Sequence, residues 1–318
     1  MLENVTGILR AFKDDEGNSF HAWYEVAKVF ASIGYVPVCL HINAKLAGIA
    51  QNRPRFIMIA VRFDHYNVIA QNIDVNIADA QVFAPSLAFY HLVQEQGDEL
   101  PFGHLDYLDA TKPNQHQLFA DSFLNHLVNG EQITVREALD DLKETNPAAP
   151  SQFIKTLNST FNYLPHRIDL ANHDFRNNSA LVQRRFRLYQ VLQTINERKI
   201  TQAVFAILKG NTADLPEDAW TACKAYSYLQ LDGELLGFTS KDTFVGYLKA
   251  HPTKKQTQKA LNADAPAPAA LSIPDDACHY DVHELRVLTV REMARIQSFP
   301  DNFVFRSKIT TGGQMRKF

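Results

Sequence analysis

Hydrophobic positions in the first part of the chain predict one amphipathic helix followed by buried strands. Residues 20–33 place apolar side chains three or four positions apart, which is a helical spacing, and Gly34 follows where a helix C-cap is expected. Residues 36–42 predict a short buried strand, and residues 56–61 (FIMIAV) form the continuous apolar run of a strand covered on both faces. This order of helix and strands indicates part of a wound α/β sheet.

The pattern is weaker further along the chain. Residues 63–130 are mixed and weakly periodic, whereas residues 133–142 (ITVREALDDL) predict a capped helix start with Thr134 as N-cap and Glu137 three residues later. Residues 146–150 (NPAAP) break any regular element and mark a candidate domain boundary.

A second amphipathic helix is predicted after Ser179, which can cap it. One face of this helix is apolar, and the other carries Arg184, Arg185 and Arg187. These arginines are candidates for contacts with the phosphates of a nucleic acid, and the alternative is a solvated helix face.

Length and composition limit the class of protein. The chain has 318 residues, of which 46% are hydrophobic and 21% charged, with a net charge of −3. It is therefore too apolar for a disordered chain and long enough for two domains. Because the chain as a whole is slightly acidic, contact with DNA or RNA would need local basic regions, and Lys and Arg outnumber Asp and Glu in residues 161–199 and 283–318.

Several functional classes are excluded by what the sequence lacks. It has no apolar run long enough for a membrane span, and its start lacks the features of a secretion signal. Its cysteines are too few for a closed disulfide set, and neither they nor the histidines have metal-finger spacing, so we expect no metal site and a reducing, cytoplasmic setting. The cysteines are Cys39, Cys223 and Cys278.

The candidate chemistry lies in three short segments. They are Glu3-Asn4-Val5, residues 51–55 (QNRPR) and residues 286–303 (RVLTVREMARIQSFPDNF). The last is the most specific, because its length makes a chance match improbable. Arg53 and Arg55 alternate, so both side chains point to one side of an extended segment, and Pro54 between them disfavours a helix.

Together and in this order, the segments resemble the DNA cytosine-5 methyltransferase family. Gly34 before a strand, Asn43 and Gly48 ahead of Gln51, and the ITVREALDDL helix are also similar to the family. We place the resemblance at residues 1–62, 131–144 and 270–318; the region between 145 and 265 carries no specific match.

Some parts of the family pattern are missing from the sequence. It has no Phe-x-Gly-x-Gly cofactor loop, no Pro-Cys nucleophile and no closing Gln-x-Gly-Asn-x-Val-Pro-Pro motif. We therefore expect the second half of an enzyme, cut at both ends. It would be one polypeptide of a split enzyme, the product of a truncated gene or a damaged copy. Only in the split enzyme would a second polypeptide supply the cofactor loop and the nucleophile.

The resemblance implies a fold and a reaction. Residues 1–145 would form an incomplete Rossmann-like methyltransferase sheet, residues 146–285 a mixed target recognition domain, and residues 286–318 a helical segment that supports this domain. The reaction would transfer a methyl group from S-adenosylmethionine to C5 of a flipped cytosine in double-stranded DNA, in a restriction-modification system. The isolated chain would be inactive.

The resemblance also implies residue roles. Glu3 would protonate N3 of the cytosine, Arg55 would contact its O2, and Arg53 would contact the neighbouring backbone or loop. Asn4 would orient its loop by hydrogen bonds, and Gln51 would hold the turn. Without the resemblance, Glu3 is a solvated acid, and the arginines are surface residues beside an edge strand.

The final segment is predicted to be architectural. Thr289 and Glu292 have the spacing of a capping box, and Arg291 and Arg295 would make ion pairs or phosphate contacts. A different class of function stays open, namely a non-catalytic DNA-binding remnant or subunit. RNA is a further alternative, since related enzymes act on tRNA, but the large recognition region favours DNA.

Overall fold

The computed structural model describes residues 1–72, 77–161, 170–253, 258–269 and 277–306, with the backbone alone for residues 69–72. Contacts group the chain into two compact units, Met1–Gln132 and Ile133–Phe318. Both units combine helices with strands, which confirms the predicted α/β class. The predicted basic regions extend into residues 162–169 and 307–318, which lie outside the described residues.

A four-stranded mixed sheet lies at the centre of the first unit. The strands of this unit are β1 (Leu2–Val5), β2 (Phe12–Lys13), β3 (Ser19–Phe20), β4 (Tyr35–Asn43), β5 (Gln51–Asn52), β6 (Pro54–Arg62) and β7 (Leu108–Asp109). The sheet has the order β1-β6-β4-β7, in which β6 is antiparallel to both neighbours and β4 is parallel to β7. Strands β2 and β3 pair separately as an antiparallel hairpin.

The helices of this unit only partly follow the sequence pattern. They are α1 (Ala22–Ser32), α2 (Phe63–Asn72), α3 (Ile77–Gln96) and α4 (Pro113–Asp121). Helix α1 is the predicted helix, and it ends before Gly34, whose φ of 93° lies in the left-handed region that glycine tolerates. The long helix α3 was not predicted; it contains Pro85, a residue that removes a backbone hydrogen bond and usually ends a helix.

Apolar side chains cover the central sheet on both faces. Phe56 and Met58 of β6 are fully buried in a cluster with side chains of α1 and α3. On the other face, Leu40 of β4 is buried with Phe119 of α4. Burial from both sides explains the continuous apolar run of β6.

The second unit is mainly helical. Its elements are α5 (Val135–Leu139), α6 (Gln152–Thr160), α7 (Ala180–Ile195), α8 (Arg198–Leu208), α9 (Glu217–Cys223), β8 (Ser227–Leu229), β9 (Leu235–Gly237), α10 (Lys241–Lys249), β10 (Lys259–Ala260), β11 (Ala267–Pro268), β12 (Ala277–Cys278) and α11 (Val290–Ile296). Its largest apolar cluster joins α7 to α10 around Phe186, Tyr228 and Phe244. No helix in the described ranges combines the length and apolar content needed to cross a bilayer.

Helix starts in the second unit follow the sequence closely. Thr134 accepts a hydrogen bond from the N–H of Glu137 at 3.2 Å, and the Glu137 carboxylate accepts one from the N–H of Thr134 at 2.8 Å. Thr289 and Glu292 make the same reciprocal pair at 3.2 and 2.7 Å. Both predicted capping boxes are thus confirmed. Ser179 occupies the N-cap of α7, although its side chain makes no capping bond with the residues described.

Candidate active site

Two of the sequence motifs meet on neighbouring strands of the first unit. The Nε atom of Arg55 lies 2.6 Å from Oε1 of Glu3, as an ion pair rather than an aligned hydrogen bond. The Nη1 atom of Arg55 donates to the carbonyl oxygen of Pro54 at 2.8 Å, and Asn4 accepts a bond from the N–H of Val5 at 2.8 Å. The Glu3 side chain is 54% exposed and that of Arg55 only 15%, so a ligand can reach the carboxylate while the guanidinium is held in place.

The strand register explains why this pair forms. Val5 lies opposite Arg55 and Glu3 lies opposite Ile57, so Glu3 and Arg55 are diagonal neighbours on one face of an antiparallel strand pair. Phe56 occupies the opposite face of β6 and is fully buried. The alternation of side chains along β6 therefore turns Arg55 away from the apolar cluster that holds Phe56.

Asn43, the last residue of β4, holds the turn that leads into residues 51–55. Its Oδ1 accepts hydrogen bonds from the N–H groups of Lys45 at 3.3 Å and Arg53 at 3.1 Å. Its Nδ2 donates to Oδ1 of Asn52 at 2.7 Å. Asn43 is buried, as is Gln51. The backbone of Arg53 is thereby tied to the end of the central sheet.

Two glycines permit a close backbone contact at the same turn. Gly48 has a φ of 76°, and the N–H of Gly130 donates to the carbonyl oxygen of Leu46 at 2.9 Å. A Cβ atom on Gly130 would lie 2.0 Å from the backbone nitrogen of Gly48, so the backbone would have to shift to accept it. The sequence analysis did not identify Gly130, although Asn129-Gly130 is a typical turn dipeptide.

A contact between a histidine and a buried aspartate lies one strand away. Nδ1 of His41 is 2.9 Å from Oδ1 of Asp109, and the same oxygen accepts bonds from the N–H and hydroxyl of Thr111 at 2.9 and 2.7 Å. Burial alone would raise the pKa of Asp109, but the bonds from Thr111 and the charge of His41 outweigh it and lower the pKa. Nothing in the sequence marks this pair, because the parallel pairing of β4 and β7 brings it together.

Comparison with known families adds the decisive observation. A family model described as C-5 cytosine-specific DNA methylase matches residues 1–318. The chain belongs to this family. The predicted resemblance is confirmed, and so is the enzyme class, DNA cytosine-5 methyltransferase. The match extends through the middle region in which no motif was recognised. A search of curated proteins found no match.

The arginines of α7 are largely used inside the second unit of the methylase. Arg184 is buried, and its Nε donates to Nε2 of His251 at 2.8 Å. Nε of Arg187 donates to a carbonyl oxygen in β8 at 2.9 Å. The half-buried Arg185 donates to a carbonyl oxygen in the turn after α10. Arg184 therefore does not belong to a solvated helix face, which was the alternative. The contact of these arginines with DNA stays a prediction.

The two arginines of α11 are also buried. Arg291 is 0% exposed, and its guanidinium donates to three backbone carbonyl oxygens. Arg295 makes two bonds of 2.8 Å to the carboxylate of Asp301 and one of 2.6 Å to Asp141. Of the two predicted roles, ion pairing is therefore the one that the structure displays for Arg295. A phosphate contact by either residue stays a prediction that would need this network to open.

The cysteines lie inside the two units. All are buried, and burial raises the pKa of the Cys223 thiol to about 11 and raises those of the other thiols further. Each thiol is therefore protonated at neutral pH, which is unsuitable for a nucleophile. The other two are Cys39 and Cys278.

Proposed function

We propose that the chain forms part of a methyltransferase that uses S-adenosylmethionine to methylate C5 of a cytosine turned out of duplex DNA, in a restriction-modification system. Membership of the DNA methylase family supports the reaction class. The Pro-Cys pair and the Phe-x-Gly-x-Gly loop, which these 318 residues lack, are assigned in this proposal to a second polypeptide. The chain alone is then inactive, and its setting is cytoplasmic.

The chemistry of cytosine explains the residue types. C5 becomes nucleophilic when a thiolate adds to C6 and the ring accepts the electrons. A proton or a strong hydrogen bond at N3 eases this addition, and a guanidinium near O2 stabilises the charge that develops. We assign the first role to Glu3 and the second to Arg55, with Arg53 against the neighbouring backbone. Asn4 and Gln51 hold the two segments.

The contact between Glu3 and Arg55 carries this proposal. N3 and O2 are both bonded to C2 of cytosine and lie on one edge of the base, and the two side chains meet at 2.6 Å. Glu3 and Arg55 can therefore reach N3 and O2 of one base. The entering base has to displace the contact between Glu3 and Arg55 before these side chains can bind it.

The cavity beside residues 51–55 does not fit the methyl donor. The cavity that Asn43 joins to the 51–55 segment is lined by Lys45 and Lys112, and by no carboxylate within the described ranges. Such a lining suits an anion and not the cationic sulfonium of S-adenosylmethionine. The donor supplies the methyl group when it is bound, and this chain's own residues bind and polarise the base.

Recognition of DNA is assigned to residues 146–285, with residues 286–318 as their support. Duplex DNA is the proposed partner, because enzymes that act on a stacked base swing it out and hold the opened duplex. Of the arginines predicted to bind DNA, Arg185 lines a surface cavity together with Lys209 and Lys249 and is best placed for a phosphate contact. Arg291 and Arg295 would act by holding the supporting segment in place.

The assignment of Glu3 is tested by the variant Glu3→Gln in the enzyme reconstituted with the second polypeptide. Loss of the proton donor should lower turnover about 100-fold or more while DNA binding is retained. The matched control is Glu16→Gln, which neutralises another exposed carboxylate of the same unit. Undiminished turnover by Glu3→Gln would remove Glu3 from the mechanism.

The alternative function is a non-catalytic DNA-binding remnant or subunit, which the missing Pro-Cys pair also permits. Both functions predict salt-dependent binding to duplex DNA. Only the split-enzyme function predicts that a polypeptide with the missing motifs restores methylation, so reconstitution separates the two.

A further inference from the structure

A basic cavity lies beside the candidate active site in the first unit. Its volume is about 460 Å³, and it opens between the turn after β4 and the start of α4. Its polar lining comes from Asn43, Lys45, Thr111, Lys112 and His116. No Asp or Glu lines it in the described part of the chain. We call this feature the lysine cavity.

The positive charge of the lysine cavity is not cancelled locally. Among the described residues, neither Lys45 nor Lys112 forms an ion pair. The carboxylate of Asp109 lies next to the lining, but its Oδ1 atom is already engaged by His41 at 2.9 Å and by Thr111 at 2.7 Å. Asp109 is also only 7% exposed. An anion that enters the cavity therefore meets two ammonium groups and a hydroxyl.

The lysine cavity is directly linked to the segment assigned to the target base. Asn43 lines the cavity, and its Oδ1 accepts the N–H of Arg53 at 3.1 Å. One side chain thus separates the cavity from residues 51–55. A nucleotide whose base contacts Arg55 carries phosphates on both sides of its sugar, so a phosphodiester of the same strand comes within reach of the cavity.

We infer that the lysine cavity binds a phosphodiester of the target strand beside the flipped cytosine. Lys45 and Lys112 neutralise the phosphate, and Thr111 and Asn43 supply polar contacts. Such contacts fix the register of the DNA without reading its sequence. This inference rests on the proposed function, because it requires residues 51–55 to face the target base.

The test compares two double variants that remove the same charge. Lys45→Gln/Lys112→Gln empties the lysine cavity of ammonium groups, and Arg10→Gln/Lys13→Gln removes two exposed cations of the same unit outside the cavity. Binding of the full chain to a fluorescent DNA duplex is measured by anisotropy over a series of salt concentrations. No methyl donor is present, so the result is independent of catalysis by Glu3.

Each neutralised phosphate contributes roughly 0.9 to the slope of log K against log salt, so loss of the one phosphodiester contact in the lysine-cavity variant should lower the slope by about 0.9. The control variant should leave it unchanged. Lys45→Arg/Lys112→Arg keeps the charge and should restore the slope; failure to restore it assigns the effect to a disturbed fold and overturns the inference.

Three other results also overturn it. The first is an equal slope for the two Gln variants, and the second is no binding of duplex DNA by the unsubstituted chain. The third is that the unsubstituted chain binds inorganic phosphate while the DNA slope of the lysine-cavity variant is unchanged. The last result would assign the cavity to a free anion. Loss of methylation by Glu3→Gln with an altered slope in the lysine-cavity variant would support both proposals. Loss of methylation by Glu3→Gln with an unchanged slope in the lysine-cavity variant would refute the inference about the cavity alone.

Discussion

Mild acid is expected to destabilise the second unit through one buried histidine. His279 is 0% exposed, and its Nδ1 accepts the N–H of Asp281 at 3.1 Å. Its Nε2 lies 3.9 Å from Oε1 of Glu292 and has no hydrogen-bond partner among the residues described. Burial lowers the pKa of His279 from 6.5 to about 4; the charge of Glu292 opposes this, and that of Arg286 adds to it.

The sign and size of the effect follow from proton linkage. The unfolded chain binds a proton at the ordinary histidine pKa of 6.5, whereas folded His279 resists it down to a pKa of about 4. Its contribution to stability is therefore complete above pH 6.5 and is lost as the pH falls toward 4. At pH 4.5 the loss amounts to about 2.5 kcal/mol of unfolding free energy.

Urea unfolding at pH 7.5 and 4.5 measures this loss. In a Trp23→Phe background, the fluorescence of Trp220 reports on the second unit, whose core contains it. Burial also lowers the pKa of His173 and His251, so the chain is compared with His279→Gln, which keeps both. Between pH 7.5 and 4.5, the unfolding free energy of the variant should fall by about 2.5 kcal/mol less than that of the unsubstituted chain. Equal losses would refute the reasoning.

Three further predictions concern packing and reactivity. Gly130→Ala should lower the unfolding free energy by about 1–3 kcal/mol, because its Cβ would press on the backbone of Gly48. Gly7→Ala should lower it much less, since the nearest contact of its Cβ is at 3.8 Å. Urea unfolding followed by Trp23 fluorescence checks both variants. Asp301→Asn should lower the unfolding free energy by roughly 3 kcal/mol, measured by urea unfolding with Trp220 fluorescence, because the buried charge of Arg295 loses a partner. A change below 1 kcal/mol would contradict this prediction. A thiol reagent at pH 8 should label no cysteine in the folded chain and all cysteines in urea. Rapid labelling of a cysteine in the folded chain would contradict its burial. The cysteines are Cys39, Cys223 and Cys278.

Local signals in the sequence were sufficient for several elements. The glycine that ends α1, the apolar run of β6 and the capping boxes at Thr134 and Thr289 depend on neighbouring residues, and each lies where the sequence predicts it. Helix α3 was missed, since Pro85 opposes a helix locally and its buried contacts are made by distant residues.

The features that the sequence did not predict depend on tertiary contacts. The motifs at Glu3 and Arg55 were identified separately, but their contact depends on the register of β1 and β6, which no local pattern fixes. The arginines of α7 show the opposite case. Their helical spacing predicts one exposed face, but partners that come from β8 and the end of α10 draw Arg184 and Arg187 inward.

The most direct test of the proposed function is methyl transfer by this chain with and without the missing part of the enzyme. Labelled S-adenosylmethionine and duplex DNA are incubated with the chain alone and with a polypeptide that carries the Phe-x-Gly-x-Gly and Pro-Cys motifs of the family, and the C5-methylcytosine formed is measured. We predict label in C5-methylcytosine only when both polypeptides are present. Methylation by the chain alone would contradict the assignment of the nucleophile to a second polypeptide, and no methylation by the stably assembled pair would contradict the proposed function itself.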